Sequence, residues 1–318
     1  MQLPRYIIDL IENETSIKEI TEDAKNISLK YRNNKGDGKR LVKTKNEAIA
    51  YALSRMPATY GVIYSILNYI KSYIEEEDIK SVIDIGAGTG AASIAISNFL
   101  NQDQITCLER ENAMIEIGKL IMRASSNDLR NAKWIKFDAE RDVINESADL
   151  AIMSYMLNEI KKDKREEFIK NVWKNTNKLL IIAEPGTPEG YRNIINAREI
   201  LLKEDAHIVA PCPHEESCKI KKDDWCNFSC RIERNKIHRN LKGGEVPYED
   251  EKYIYLVVSH NKYENSESRV LRHPIINKGY IKMKLCTKEG IQEVIISKKD
   301  GELYKKARKS SAGDSIQY

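Results

Sequence analysis

The residues most able to do chemistry are thiols. Cys212, Cys218 and Cys226 crowd into APCPHEESCKIKKDDWCNFSC (210–230), Cys230 closes that run, and Cys286 stands far downstream. An isolated cysteine is usually a small buried hydrophobe, but thiols gathered in a polar, loop-like stretch are metal ligands by type. The spacing is Cys-x5-Cys-x7-Cys-x3-Cys. A zinc ribbon carries tight Cys-x2-Cys pairs, and there are none here. Cys230 completes a local zinc site with the first three thiols, and His214 competes as a ligand. Four thiolates around an iron–sulfur cluster accept looser and more distant spacing, which admits Cys286. Spacing alone leaves zinc and iron–sulfur open. Cys107 lies inside an apolar strand and reads as core.

The second constellation is DIGAGTG (84–90), with Asp84, Gly86, Gly88 and Gly90 at a strand-to-helix turn. Glycines allow the tight turn and a close backbone approach to a ligand, and the next helix N-terminus offers free N–H groups. Glu109 ends the following strand, where a carboxylate accepts ribose hydroxyls. Asp138 ends the third strand, within reach of an adenine amine. An acid two residues before the first glycine and a Gly-x-Gly-x-Gly rhythm favour S-adenosylmethionine over a nicotinamide dinucleotide, for which Ala91 would supply the third small residue. The transfer chemistry has no assured base. SYMLNEI (154–160) lacks the Asn/Asp-Pro-Pro-aromatic stretch of amino-methylating nucleic-acid enzymes. Pro-Cys-Pro around Cys212 imitates a pyrimidine-methylating nucleophile, but its neighbouring thiols favour a ligand role. Glu184, Pro185 and Gly186 follow the fifth strand as further candidates for the pocket lining.

These residues need elements to hold them. Apolar spacing in TKNEAIAYALSRMPATYGVIYSILNYIKSYI predicts helices interrupted at Pro57. From Lys80 the pattern alternates: strands at KSVIDIG, DQITCLE, AKWIKFD, ADLAIMSYML and KLLIIAEPG, with helices between them and a helix from Pro188. That alternation implies a parallel sheet covered on both faces. AHIVAP (206–211) and KYIYLVVSH (252–260) add two strands, YIKMKLC and IQEVIIS form a hairpin, and the last eight residues read as loose. The expected organisation is a helical extension at 1–75, an α/β domain at 76–260 with a cysteine-rich insertion at 212–245, and a basic β-rich appendage at 261–318. The 318 residues are 41% hydrophobic with a net charge of +4. Residues 261–318 hold 13 Lys and Arg against 7 Asp and Glu, so the basic surplus sits in the tail. No run of about 18 apolar residues is present to span a bilayer. The mixed-charge start lacks a secretory pattern, and the expectation is a cytoplasmic protein.

Several ordered stretches resemble the mitochondrial-type small ribosomal subunit methyltransferase-like family, which includes methyltransferase-like protein 17 and its fungal mitoribosomal and bacterial relatives. They are RMPATYGVIYSIL (55–67), AEPGTPEGYRNIINAREILL (183–202), VAPCPHEESC (209–218), DWCNFSCRIERNKIHRNLK (224–242), YEDEKYIYLVVS (248–259) and RVLRHP (269–274). The resemblance implies a class I S-adenosylmethionine-dependent methyltransferase (Rossmann-like) fold that binds this cofactor. It further implies a [4Fe-4S] cluster, with Cys212, Cys218, Cys226 and Cys286 matching the ligand positions and zinc as the alternative metal. The implied partner is the small ribosomal subunit and its rRNA, with no membrane and a monomer off the ribosome. Arg231, Arg239, Lys242, Arg269 and Arg272 are candidates for phosphate contacts. Three activities are in play: an rRNA methyltransferase, a non-catalytic assembly factor, and a zinc-stabilised small-molecule methyltransferase.

Overall fold

The computed structural model describes every residue except 13, 15–16, 33–40, 126, 222, 235–237, 240, 242–245 and 265. The described chain falls into two units, Met1–Leu180 with Cys230–Glu251, and Ile181–Ser229 with Lys252–Tyr318.

The first unit opens with five helices: α1 (Arg5–Glu12), α2 (Ile17–Arg32), α3 (Lys45–Ser54), α4 (Met56–Tyr69) and α5 (Lys71–Glu77). A reciprocal capping box starts α3: the Glu47 N–H donates to Thr44 Oγ1, and the Glu47 carboxylate accepts from the Thr44 N–H. Such a box satisfies two donors that a helix start would otherwise leave bare. Pro57 sits in the first turn of α4, where its missing N–H costs nothing. The break expected at Pro57 is therefore a boundary between two helices. The α/β part follows as β1 (Ser81–Ile85), α6 (Ala91–Ile96), β2 (Gln104–Glu109), α7 (Asn112–Arg123), α8 (Asn127–Arg130), β3 (Lys133–Lys136), β4 (Ala148–Ser154) and α9 (Arg165–Lys174). β1 pairs in parallel with both β2 and β4, and β2 with β3, giving the order β3-β2-β1-β4. Val82, Ile83 and Ile85 are all buried, as a strand covered on both faces requires. The early helices pack onto this sheet's helices, with Tyr6 Oη donating to Ser125 Oγ (2.7 Å). They belong to the same unit rather than to a separate extension ending at residue 75.

β5 (Thr176–Pro185) runs from the first unit into the second. The second unit continues with α10 (Pro188–Lys203), capped by the Thr187 side chain, and β6 (His207–Ala210). A further strand that the sequence reading missed, β7 (Phe228–Glu233), begins there and carries the chain back to the first unit. β8 (Tyr248–Ser259) returns it and pairs antiparallel with β6, with a register shift between Ile208 and Ala210. A small antiparallel sheet completes the unit: β9 (Ser268–Val270), β10 (Ile275–Ile276), β11 (Tyr280–Thr287) and β12 (Gly290–Ser297), with β10 and β12 flanking β11 and β9 also on β11. The expected hairpin is β11–β12. One face of this sheet is closed by α11 (Glu302–Lys309) and the terminal residues, around Val270, Ile281, Leu285, Ile296, Ala307 and Ile316. The last eight residues are thus not loose. Ile316 is buried, its carbonyl accepts from the Ser268 hydroxyl, and Ser315 bridges to Arg269.

Candidate functional site

The glycine loop leaves β1 at its carboxyl end, where β1 has β2 on one side and β4 on the other. Open α/β sheets bind ligands at such a switch point. Gly86 (φ 70°) and Gly88 (φ 57°) occupy left-handed backbone that a side chain would strain. The Gly88 N–H donates to Glu109 Oε2 (2.8 Å) and the Glu111 N–H to Glu109 Oε1 (2.8 Å), which fixes the carboxylate at the end of β2. Burial pushes this carboxyl up, and the backbone donors oppose the shift. A carboxylate has lone pairs to spare beyond two donors, so Glu109 can still accept ligand hydroxyls.

Of the six expected cofactor residues, Gly86, Gly88, Glu109 and Asp138 line one cleft of about 760 Å³, counted with its open mouth. Asp84 and Gly90 are absent from that lining. Asp84 is fully buried and accepts from the Ser93 N–H (3.1 Å) and Ser93 Oγ (2.7 Å), so it braces the loop against α6 from behind. Burial drives its carboxyl from 3.8 up to about 6. Asp138 accepts from the Glu140 N–H and lies 3.8 Å from Arg141. The sequence reading missed Tyr51 from α3, Arg110 and Tyr155 in this lining. Tyr51 lay hidden in an apolar helical pattern. Tyr155, at φ 60° just past β4, takes a backbone conformation that sequence does not announce. Glu184 is not in the cleft lining: it belongs to the second unit, where it accepts from Asn193 Nδ2 (3.0 Å).

The second unit holds the thiols. Cys212, Cys218, Cys226 and Cys286 line one cavity together with Tyr191, Arg198, His214 and Arg269. Three of these cysteines come from the segment after β6, and the fourth from β11. Burial pushes the Cys226 thiol well up, and Cys212, Cys286 and Cys218 push it further as neighbouring negative groups would. Cys286 is pushed up to about 12 by burial first and then by Cys212 and Cys218. Tyr191 Oη lies 3.2 Å from Cys218 Sγ, and His214 Nε2 3.9 Å from Cys286 Sγ. Trp225 anchors the loop by donating to the Gly186 carbonyl (3.0 Å). Among the described residues no group of three or more His, Cys, Asp or Glu side chains stands in metal-holding geometry. By donor chemistry the set suits a thiophilic group: four thiols line one cavity walled by two arginines. Cys230 belongs to the first unit, where burial raises its thiol to about 12 with Ser65, Glu251 and Asp250 as neighbours.

The expected phosphate contacts divide. Arg231 is exposed, holds Asp250 through two hydrogen bonds (2.8 and 3.0 Å) and lies 4.0 Å over the Tyr248 ring. Arg272 pairs with Asp224 and is partly exposed. Arg239 is half-buried. Arg269 is only 7% exposed and donates to the Pro211 and Gly313 carbonyls, so its guanidinium braces the interior of its unit and does not face a solvent-side phosphate. Lys242 lies outside the described residues.

A parallel β3-β2-β1-β4 core with a glycine loop and strand-end carboxylates around one cleft defines a Rossmann-like α/β fold of the class I methyltransferase kind. The family model described as "Mitochondrial small ribosomal subunit Rsm22" matches residues 45–317. The chain belongs to the Rsm22 family. It is 23% identical over 294 residues to the human "Ribosome assembly protein METTL17, mitochondrial", covering 86% of this chain and 63% of that one. It is 24% identical over 327 residues to the "Rsm22-cox11 tandem protein 2, mitochondrial" of Schizosaccharomyces pombe, covering 85% of this chain and 43% of that one. The chain therefore spans less than two thirds of either relative. Among solved structures, magnesium protoporphyrin IX methyltransferase from Synechocystis PCC 6803 with bound SAM is similar at a TM-score of 0.44 and 13% identity, covering 78% of this chain and 98% of that one. The relatives overturn the cytoplasmic expectation. Both are named as mitochondrial proteins, and they point to a mitochondrial rather than a cytoplasmic location.

Proposed function

We propose that this chain is an S-adenosylmethionine-binding factor in the assembly of the small ribosomal subunit, holding a thiolate-ligated metal centre in its second unit and docking on rRNA. The observation that carries the cofactor half is the cleft at the carboxyl ends of β1–β4, where Gly88 fixes Glu109 and Asp138 stands beside it. Glu109 would accept the ribose hydroxyls, Asp138 would meet the adenine edge, and the glycine turn would let the rest of the cofactor lie against backbone. The cofactor would supply an electrophilic methyl group. What this chain's residues do is bind and orient it. The assembly half is supported by the Rsm22 match over residues 45–317 and by the printed names of the relatives.

Cys212, Cys218, Cys226 and Cys286 would hold the centre, and the reading prefers an iron–sulfur cluster to zinc because one ligand lies far along the chain. Such a centre would tie the segment after β6 to β11. Arg231 and Arg272 are the phosphate contacts this reading retains. A base acted on by such an enzyme must be unpaired or flipped out.

Calorimetric titration of S-adenosylmethionine into the full chain tests the cofactor half. Saturable binding is expected, weakened about 10–100-fold in Glu109→Ala, the equivalent of losing hydrogen bonds to a charged acceptor. No binding to the wild type would contradict it. Methyl transfer to immature small-subunit particles then separates the two ribosomal functions. Labelled rRNA favours the enzyme, and co-sedimentation without label favours the non-catalytic factor.

A further inference from the structure

Two guanidinium groups are built into the wall of the thiol cavity. Arg198, on α10, is 2% exposed, and Arg269, on β9, is 7% exposed. An arginine does not give up its proton in a protein, so both positions carry permanent buried charge. Their donors are used on neutral acceptors. Arg198 donates to the His214 carbonyl (2.9 Å) and the Glu216 carbonyl. Arg269 donates to the Pro211 carbonyl (2.9 Å) and the Gly313 carbonyl (2.8 Å). Carbonyls satisfy N–H groups but do not cancel charge. Among the described residues neither guanidinium forms an ion pair with a carboxylate, and Arg198 Nε has no hydrogen-bond partner. A buried cation without a counter-charge is strongly unfavourable, so two of them facing one cavity call for an anion.

The groups that face them are the sulfurs. Cys286 on β11 is the direct register partner of Arg269 on β9. Arg198 and Cys212 line the same cavity, and both arginines act on Cys212 and on Cys286 as favourable charges. Neutral thiols would not balance them. Four thiolates on a divalent zinc ion, or on the oxidised core of a four-iron cluster, make a dianion, and two fixed cations match it.

We propose that Arg198 and Arg269 are the paired counter-ions of a dianionic tetrathiolate centre: positioning residues that hold its charge in the interior and set how tightly the metal is kept. This rests on the metal-centre reading above. It adds a claim about charge that ligand identity alone does not make. The two arginines also hold the loop in place, since three of the carbonyls they grip, those of Pro211, His214 and Glu216, lie in the segment that carries Cys212 and Cys218.

The test uses the full chain purified without oxygen, first analysed for iron, acid-labile sulfide and zinc. A wild type without metal overturns the metal-centre reading and this one with it. With metal present, Arg198→Met and Arg269→Met are compared with Arg198→Lys and Arg269→Lys. A Lys keeps the charge and loses the fork. The Met variants are expected to release metal to a chelator about 10–100-fold faster, the usual cost of removing a partner of a ligand, while the Lys variants stay near wild type. For iron, the reduction potential of the Met variants should fall, because a fixed cation no longer favours the added electron. In the metal-free chain the Met variants should melt at or above wild type, since an unmatched buried charge has gone. Met variants that keep metal as firmly as wild type would overturn the proposal while leaving the metal-centre reading intact. So would Met and Lys variants that lose metal equally and destabilise the metal-free chain equally, which is the signature of loop bracing alone.

Discussion

At the scale of single residues, Asp84 shows how a motif position can matter without lining the cleft. Its carboxyl is fully buried, bonded to Ser93 and raised to about 6. Because its native value lies above the unfolded one, the native state binds the proton more readily. Stability therefore rises as the pH falls through about 6 and is lost as pH rises from about 4 to about 6. The full span corresponds to about 3 kcal/mol. Asp84→Asn keeps the size and an acceptor for Ser93, and is expected to flatten this part of the stability-against-pH curve in urea titrations at pH 4 to 7. An unchanged slope would assign the pH dependence to other groups. The residues most legible in the sequence were those whose type and position coincide, such as Gly88 and Glu109. Asp84 was legible as a motif letter, but its place behind the loop depends on the Ser93 side chain, which no spacing rule points to.

At the scale of elements, the period-two alternation of YIKMKLC and IQEVIIS marks β11 and β12 in the sequence, because a half-buried strand must alternate. β7 was missed because its alternation runs through Cys230, a residue that invites a ligand reading and in fact fills a buried strand position. The terminal residues were misread for a similar reason. Ile316 is a lone apolar residue in a polar run, and only the tertiary structure reveals that it completes the core between β9 and α11. This gives a stability prediction. Ile316→Ala should cost about 2–4 kcal/mol, the usual range for truncating a well-packed aliphatic side chain. Guanidinium denaturation monitored by circular dichroism would check it, and a loss below about 0.5 kcal/mol, typical of surface changes, would mean that the tail contributes nothing. Because Ser315 bridges to Arg269 and Arg269 faces Cys286, the same variant is expected to loosen the thiol cavity while sparing the cleft beside β1.

At the scale of the whole molecule, the two chemistries fall in different units. The cleft around Gly88 and Glu109 is built from Met1–Leu180, and the thiol cavity from Ile181–Ser229 and Lys252–Tyr318. The sequence suggested other boundaries because it treated the cysteine run as one insertion through residue 245. Contacts instead divide that run at Ser229, which leaves Cys230 with the first unit. This separation predicts independent losses: Glu109→Ala should weaken cofactor binding about 10–100-fold without releasing metal, and a ligand cysteine variant should release metal while leaving cofactor binding unchanged. Under the proposed function, sulfur atoms from two distant stretches of chain serve one centre. Metal analysis of anaerobically purified Cys286→Ser and Cys230→Ser beside the wild type tests it most directly. The account predicts iron and sulfide in equal amount in the wild type, unchanged in Cys230→Ser and lost in Cys286→Ser. Metal retained in Cys286→Ser, or lost in Cys230→Ser, would contradict it.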